Sequence, residues 1–212
     1  MPTSLDLLLQ HPRLWRGEAC ALTATAVPSG FAVLDECLPG SGWPQGALTE
    51  LFTSGQGIGE FSLLMPLCAR LTQNSRWVIF IAPPHVPYAP ALAAAGIDLA
   101  RLLLIKAESP KDKLWALEQS LKSKQCGAAL AWPGDMAANS LRRLQLACEQ
   151  GQSSGFLFMP ESAATNASTA ALRLRLLANE DGELEIRIIK RRGGTLTRPV
   201  RIAQSILRGN HA

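Results

Sequence analysis

The chain has 212 residues, 47% of them hydrophobic and 18% charged, the composition of a folded domain with a sizeable core and not of a disordered or fibrous protein. Its 21 Lys and Arg against 17 Asp and Glu give a net charge of +4 and a pI near 9.0, which favours an anionic partner without naming one. The five cysteines are scattered without a C-x-x-C pair, and neither a basic leader nor a run of 18 apolar residues occurs, so a disulfide framework, a zinc knuckle, a signal peptide and a membrane span are not expected. A cytoplasmic location is the expectation.

Residues 1–30 read as an N-terminal arm, with a short helix over Ser4 to Gln10 stopped by Pro12 and a small-residue linker from Thr23 to Ser29. Residues 31–212 read as one domain. From Ala47 onward, strand-like runs alternate with helix-period segments: Ala47 to Phe52, then Phe61 to Leu71; Trp77 to Ala82, then Ala89 to Ala95; Leu102 to Ile105, then Lys111 to Ser123; Ala128 to Trp132, then Met136 to Gln150; and finally Phe156 to Met159. This alternation predicts an α/β fold with a mostly parallel sheet flanked by helices. Leu114, Leu117 and Leu121, and likewise Leu141, Leu144 and Cys148, fall at i, i+3, i+7 and give each helix one buried stripe. Beyond Pro160 the pattern changes to period two. Leu172, Leu174 and Leu176 alternate with arginines, and Leu184, Ile186 and Ile188 alternate with Glu185 and Arg187, which predicts half-buried antiparallel strands in a C-terminal meander. Turns are expected at Asn179 to Gly182 and Gly193-Gly194, and a mobile loop over Ala163 to Ser168.

The segment from Ala47 to Leu64 has the layout of a strand, a glycine-rich loop and a helix, the place where a phosphate-binding loop sits. A working loop needs glycines to wrap the phosphates, a lysine to meet their charge and a Ser or Thr to hold magnesium. With Gly59 aligned to the last glycine, Ser54 stands at the first, Gly55 and Gly57 lie between, Glu60 stands at the lysine and Phe61 at the hydroxyl. Glu60 reverses the sign at the γ-phosphate, a repulsion of about 4 kcal/mol for a pair at roughly 4 Å and intermediate dielectric. Trp132 and Pro133 end the strand where a magnesium-holding acid is expected, with Asp135 beyond as a helix cap, and Pro83-Pro84-His85 follow the strand where a water-activating acid is expected. No catalytic residue, cofactor or metal site is therefore assigned, and ATPase or recombinase activity is not expected.

Residues Pro28 to Phe52, PSGFAVLDECLPGSGWPQGALTELF, resemble the approach to the RecA core, and the similarity runs on through WVIFIAPPHVPYAPALAAAGIDLARLLLIKAESPKDKLWALEQSLKSKQCGAALAW to the closing IRIIKRRGGTLTRPVRI hairpin. The ordered blocks LPGSGWPQGALTEL, IAPPHVPYAPALAAAGID, LWALEQSL, CGAALAWP, LRRLQLA and KRRGG are similar to the ImuA family, RecA-like accessory proteins of bacterial SOS mutagenesis cassettes. The related SulA family, division inhibitors that act on FtsZ, shares the IAPP-like strand end and the helix after it, but is shorter and lacks the LPGSGWPQG and KRRGG blocks. The ImuA resemblance implies a RecA-like core and a role without catalysis in error-prone translesion DNA synthesis. Its implied partners are an ImuB-type Y-family polymerase homologue and a DnaE-type polymerase, with RecA and DNA as further partners. A SulA-like inhibitor binding FtsZ, and a divergent ATPase, are the competing classes.

Two surfaces are candidates for those contacts. Lys190, Arg191, Arg192 and Gly193 form a basic hairpin suited to phosphates, or equally a solvated tip. Leu5, Leu8, Leu9 and Trp15 are too few to fold alone, so they pack on this chain's core or dock in a partner's groove, with self-association as one form of that docking. Arg142-Arg143 reads as a solvated helix face.

Overall fold

Each apolar run between residues 47 and 160 becomes a strand, and the strands join one sheet. The computed structural model describes residues 25–55, 57–179, 181–192 and 198–209. The strands are β1 (Ala26–Val27), β2 (Trp43–Pro44), β3 (Leu48–Thr53), β4 (Trp77–Ile81), β5 (Leu102–Ile105), β6 (Cys126–Ala131), β7 (Ser154–Pro160), β8 (Leu172–Ala178), β9 (Glu183–Lys190) and β10 (Val200–Ala203). The helices are α1 (Ala32–Asp35), α2 (Met65–Gln73), α3 (Ala89–Ala94), α4 (Pro110–Lys122), α5 (Ala138–Gly151) and α6 (Gln204–Gly209). The main sheet runs β10-β9-β8-β3-β7-β6-β4-β5, parallel from β8 to β5, with β9 and β10 antiparallel at the other end.

Two apolar layers hold the sheet. On one face α1, α2 and α3 cover Leu51, Phe80, Leu130 and Phe156, and on the other α4 and α5 cover Leu48, Phe52, Ile81 and Ala131. Full burial of such side chains contributes about 1.5–3 kcal/mol each. The leucine stripes lie where the spacing predicts, with Leu117, Leu121, Leu141, Leu144 and Cys148 all buried. Helix α4 starts at Ser109, whose hydroxyl accepts the Asp112 N–H at 3.1 Å, with Pro110 in its first turn.

Several expectations change. The described part of the Thr23 to Ser29 stretch is not a linker: β1 pairs antiparallel with β2, and Ser29 is buried with its N–H donating to Asp35 Oδ1 at 2.8 Å. Strand β8 is antiparallel only to β9 and runs parallel to β3, so it lies inside the sheet with both of its edges paired. Arg173, placed by alternation on the wet side, is buried there against Glu50, the Phe52 ring and the Ala163 carbonyl. The loop expected over Ala163 to Ser168 begins as a 3-10 turn, Glu161–Thr165, whose small Ala163 and Ala164 side chains pack into the second layer. Asp135 does not cap α5: its carboxylate accepts the Met136 N–H, and the N-cap position is Ala137. The Asn179 to Gly182 turn forms as expected, with the Gly182 N–H donating to the Asn179 carbonyl. Leu5, Leu8, Leu9, Trp15 and the Gly193-Gly194 turn lie outside the described residues.

Candidate functional site

In open α/β sheets, ligands bind beyond the carboxyl ends of the strands, where the order of connections reverses. Here β3 lies between β8 and β7 while the chain leaves it for β4 across the sheet, so the segment after β3 is that place. Ser54 and Gly55 are exposed at its start, and the Gly55 N–H donates to Thr53 Oγ1 at 3.1 Å. Gly57 and Gly59 have φ of +79° and +98°, and a Cβ on Gly59 would stand 2.9 Å from the Leu207 side chain of α6. Glycine is needed there for its conformation and for the close approach.

Glu60 turns inward. It is 9% exposed, and its Oε1 accepts the Gly57 N–H at 3.0 Å, while Oε2 is buried without a hydrogen-bond partner among the described residues. A carboxylate thus takes a backbone N–H of the kind a phosphate oxygen takes in a working loop, at the start of the helical stretch where negative charge is favoured. Phe61 then points into the first apolar layer. It meets Phe80 edge-on with centroids 5.2 Å apart and Trp132 at 6.2 Å, and Trp132 stacks on Phe158 at 4.6 Å and 6° between planes. The positions that sequence alignment gives to the hydroxyl and the strand-end acid are therefore joined in one aromatic cluster spanning the ends of β4, β6 and β7.

A small pocket of about 110 Å³ behind Trp132 has Lys113 and Asp135 among its walls, and His85 is exposed on the loop after β4. Among the described residues no group of three or more His, Cys, Asp or Glu is placed to hold a metal ion, and no helix is long and apolar enough to cross a membrane. Burial pushes the Cys68, Cys126 and Cys148 thiols up to about 12, which makes them packing groups.

Of the basic hairpin, Lys190 is exposed and donates to the Ser168 carbonyl at 2.9 Å, Arg191 donates to the Cys37 carbonyl, Arg192 is exposed, and Gly193 is outside the described residues. Arg143 is not merely solvated, since it pairs with Glu118 across α4 and α5. The alternation pattern missed a buried ion pair between Glu50 and Arg173; its one signal was an acidic residue inside a six-residue strand that otherwise reads as core.

Residues 46–155 match the family described as "Cell division inhibitor SulA". The chain belongs to the SulA family. The match begins after most of the LPGSGWPQG block and ends inside β7, so the SulA-family part comprises the glycine loop, the Phe61, Phe80 and Trp132 rings of the aromatic cluster and the helices of the second layer, while Phe158, β8, β9 and β10 lie beyond it. Among SulA relatives, the cell division inhibitor SulA of Edwardsiella piscicida is 29% identical over 106 residues, 50% of this chain and 63% of that protein. The SulA of Yersinia enterocolitica is 24% identical over 131 residues, 61% of this chain and 78% of that protein. Protein ImuA of Caulobacter vibrioides is 32% identical over 139 residues, 63% of this chain and 57% of that protein. Against the Edwardsiella and Caulobacter relatives the matched stretch thus spans less than two thirds of their length. Relatives named ImuA and relatives named SulA thus both occur among the proteins similar to this chain.

Proposed function

We propose that this chain is a non-catalytic, RecA-like accessory subunit of an error-prone translesion synthesis complex in the bacterial SOS response, acting by binding protein and DNA. The observation that carries the absence of catalysis is the joint placement of Glu60, Phe61 and Trp132: an internal carboxylate holds the loop N–H, and aromatic rings pack where phosphate chemistry needs a hydroxyl and an acid. The likeness to ImuA of Caulobacter vibrioides, together with a β8–β10 region beyond the SulA match, supports the ImuA-type role. The partners are then an ImuB-type Y-family polymerase homologue and a DnaE-type polymerase, with RecA and DNA alongside.

A second reading, a division inhibitor that binds FtsZ, is favoured by the SulA-family match over residues 46–155. The two separate in one comparison. The purified chain is mixed with the ImuB-type and DnaE-type proteins of its own genome, and in parallel with FtsZ in a GTP-dependent sedimentation assay. Stable co-elution with the polymerase proteins and unchanged FtsZ pelleting is the expected result; loss of FtsZ polymer without co-elution transfers the assignment to the inhibitor.

A further inference from the structure

The sheet ends at β10, which pairs through Val200 to Ala203 with β9 and, among the described residues, with no other strand. Alternate N–H and C=O groups of β10 therefore face away from the sheet. Beside this edge runs an open groove of about 580 Å³ between α1 and β10, with Val33, Glu36, Cys37, Arg198, Val200 and Arg201 along it. Val33 is 52% exposed, an apolar side chain with much of its surface in water. Arg201 keeps 57% of its side chain exposed while touching Glu185 at 3.3 Å, and Arg191 reaches in to the Cys37 carbonyl. Arg198 and Arg201 thus line the groove with Glu36, Arg191 reaches its Cys37 edge, and Arg201 shares the Glu185 carboxylate with Arg187.

We propose that this groove is a docking site for an extended acidic segment of a protein partner, which adds a strand to β10 and sets its carboxylates on Arg198 and Arg201. Strand addition takes affinity from main-chain hydrogen bonds and specificity from alternate side chains, and here those would meet Val33 on one side and the arginines on the other. A second copy of the chain does not fit, because its own β10 edge carries the same positive charges and like charges facing across a strand pair repel. Groove and edge lie outside residues 46–155, the span of the SulA-family match. The inference deepens the proposed accessory role by giving the partner's contact a place and a chemistry.

The test selects binders from a random twelve-residue peptide display library on the full chain and measures them by fluorescence anisotropy. The expected winners alternate acidic and β-branched residues, bind at least tenfold more weakly to the R198E/R201E variant, and lose binding when alternate backbone nitrogens are methylated in one register but not in the other. They also slow alkylation of Cys37. Lack of enrichment, lack of acidic bias, equal binding to the variant, or indifference to methylation in both registers overturns the proposal. So does a variant that loses a single-stranded oligonucleotide but keeps the peptides, which would make the groove a nucleic-acid surface. Peptides that bind as expected while the polymerase proteins fail to co-elute would leave the groove standing and remove only the translesion assignment.

Discussion

Glu50 and Arg173 face each other on the neighbouring parallel strands β3 and β8 and form a buried ion pair, with Arg173 Nε 2.5 Å from Glu50 Oε2. The other Glu50 oxygen accepts the Ser168 hydroxyl at 2.9 Å, and the guanidinium lies 4.8 Å from the centre of the Phe52 ring. Removing one partner leaves an uncompensated charge in the core, which costs about 3–5 kcal/mol, whereas replacing both by apolar residues of similar volume is often neutral. Arg173→Met should therefore lower stability strongly in urea titrations, and Glu50→Leu with Arg173→Met should recover most of the loss. A double variant as unstable as the sum of the singles would show that the pair is not coupled.

Magnesium ATP at millimolar concentration should leave the melting temperature unchanged, and Glu60→Lys alone should not create a response, because Phe61 and Trp132 still pack in the site. A ligand present at 100 times its Kd would add about 2.7 kcal/mol, well within reach of a thermal shift measurement. A saturable upward shift in the unaltered protein that vanishes in Phe61→Ala would refute the non-catalytic reading.

Replacing Lys190, Arg191 and Arg192 by alanine should weaken binding to a short DNA duplex and flatten the log–log salt dependence, by about one unit for each phosphate that is no longer neutralised. Anisotropy titrations between low and moderate salt measure the slope. If the slope stays as it was, the hairpin serves as a turn and the DNA is held elsewhere.

Iodoacetamide at pH 8 should modify Cys37 and leave Cys68, Cys126 and Cys148 intact until the protein unfolds. Among the described cysteines Cys37 is part exposed, while Cys68, Cys126 and Cys148 are buried and their thiols are pushed up to about 12. Peptide mass mapping before and after denaturation reads this directly, and early labelling of Cys148 would mean that the α5 layer opens.

The hydrogen bond from Lys122 holds the Glu118 carboxyl below its ordinary value of 4.5, with Arg143 adding to the effect. A carboxyl lowered in the folded state contributes stability above its unfolded value and loses it as pH falls through the folded one. Stability should thus decline below about pH 4.5 with a component that Glu118→Gln removes. Measured by urea unfolding at pH 7 and pH 3.5, the variant should show a smaller difference than the unaltered protein; an equal difference would assign the acid sensitivity to other carboxylates.

The sequence by itself determined the order and type of the elements from β3 to β7, because an apolar run of four to seven residues and an i, i+3, i+7 stripe are local signals that burial on a sheet makes self-consistent. It also determined that the glycine loop lacks a lysine and a hydroxyl, since that is a matter of residue identity at Glu60 and Phe61. Only the tertiary structure decided what those residues do instead. Whether Glu60 repels a ligand or satisfies the Gly57 N–H depends on a side-chain direction that no spacing encodes, and the stack of Trp132 on Phe158 joins residues that meet only when β6 and β7 are neighbours. Arg173 is the sharpest case. Alternation assigns it to water, and it is the insertion of β8 beside β3, a pairing between segments over 120 positions apart, that buries it against Glu50. Local pattern sets which face a side chain points to; what covers that face is a long-range event.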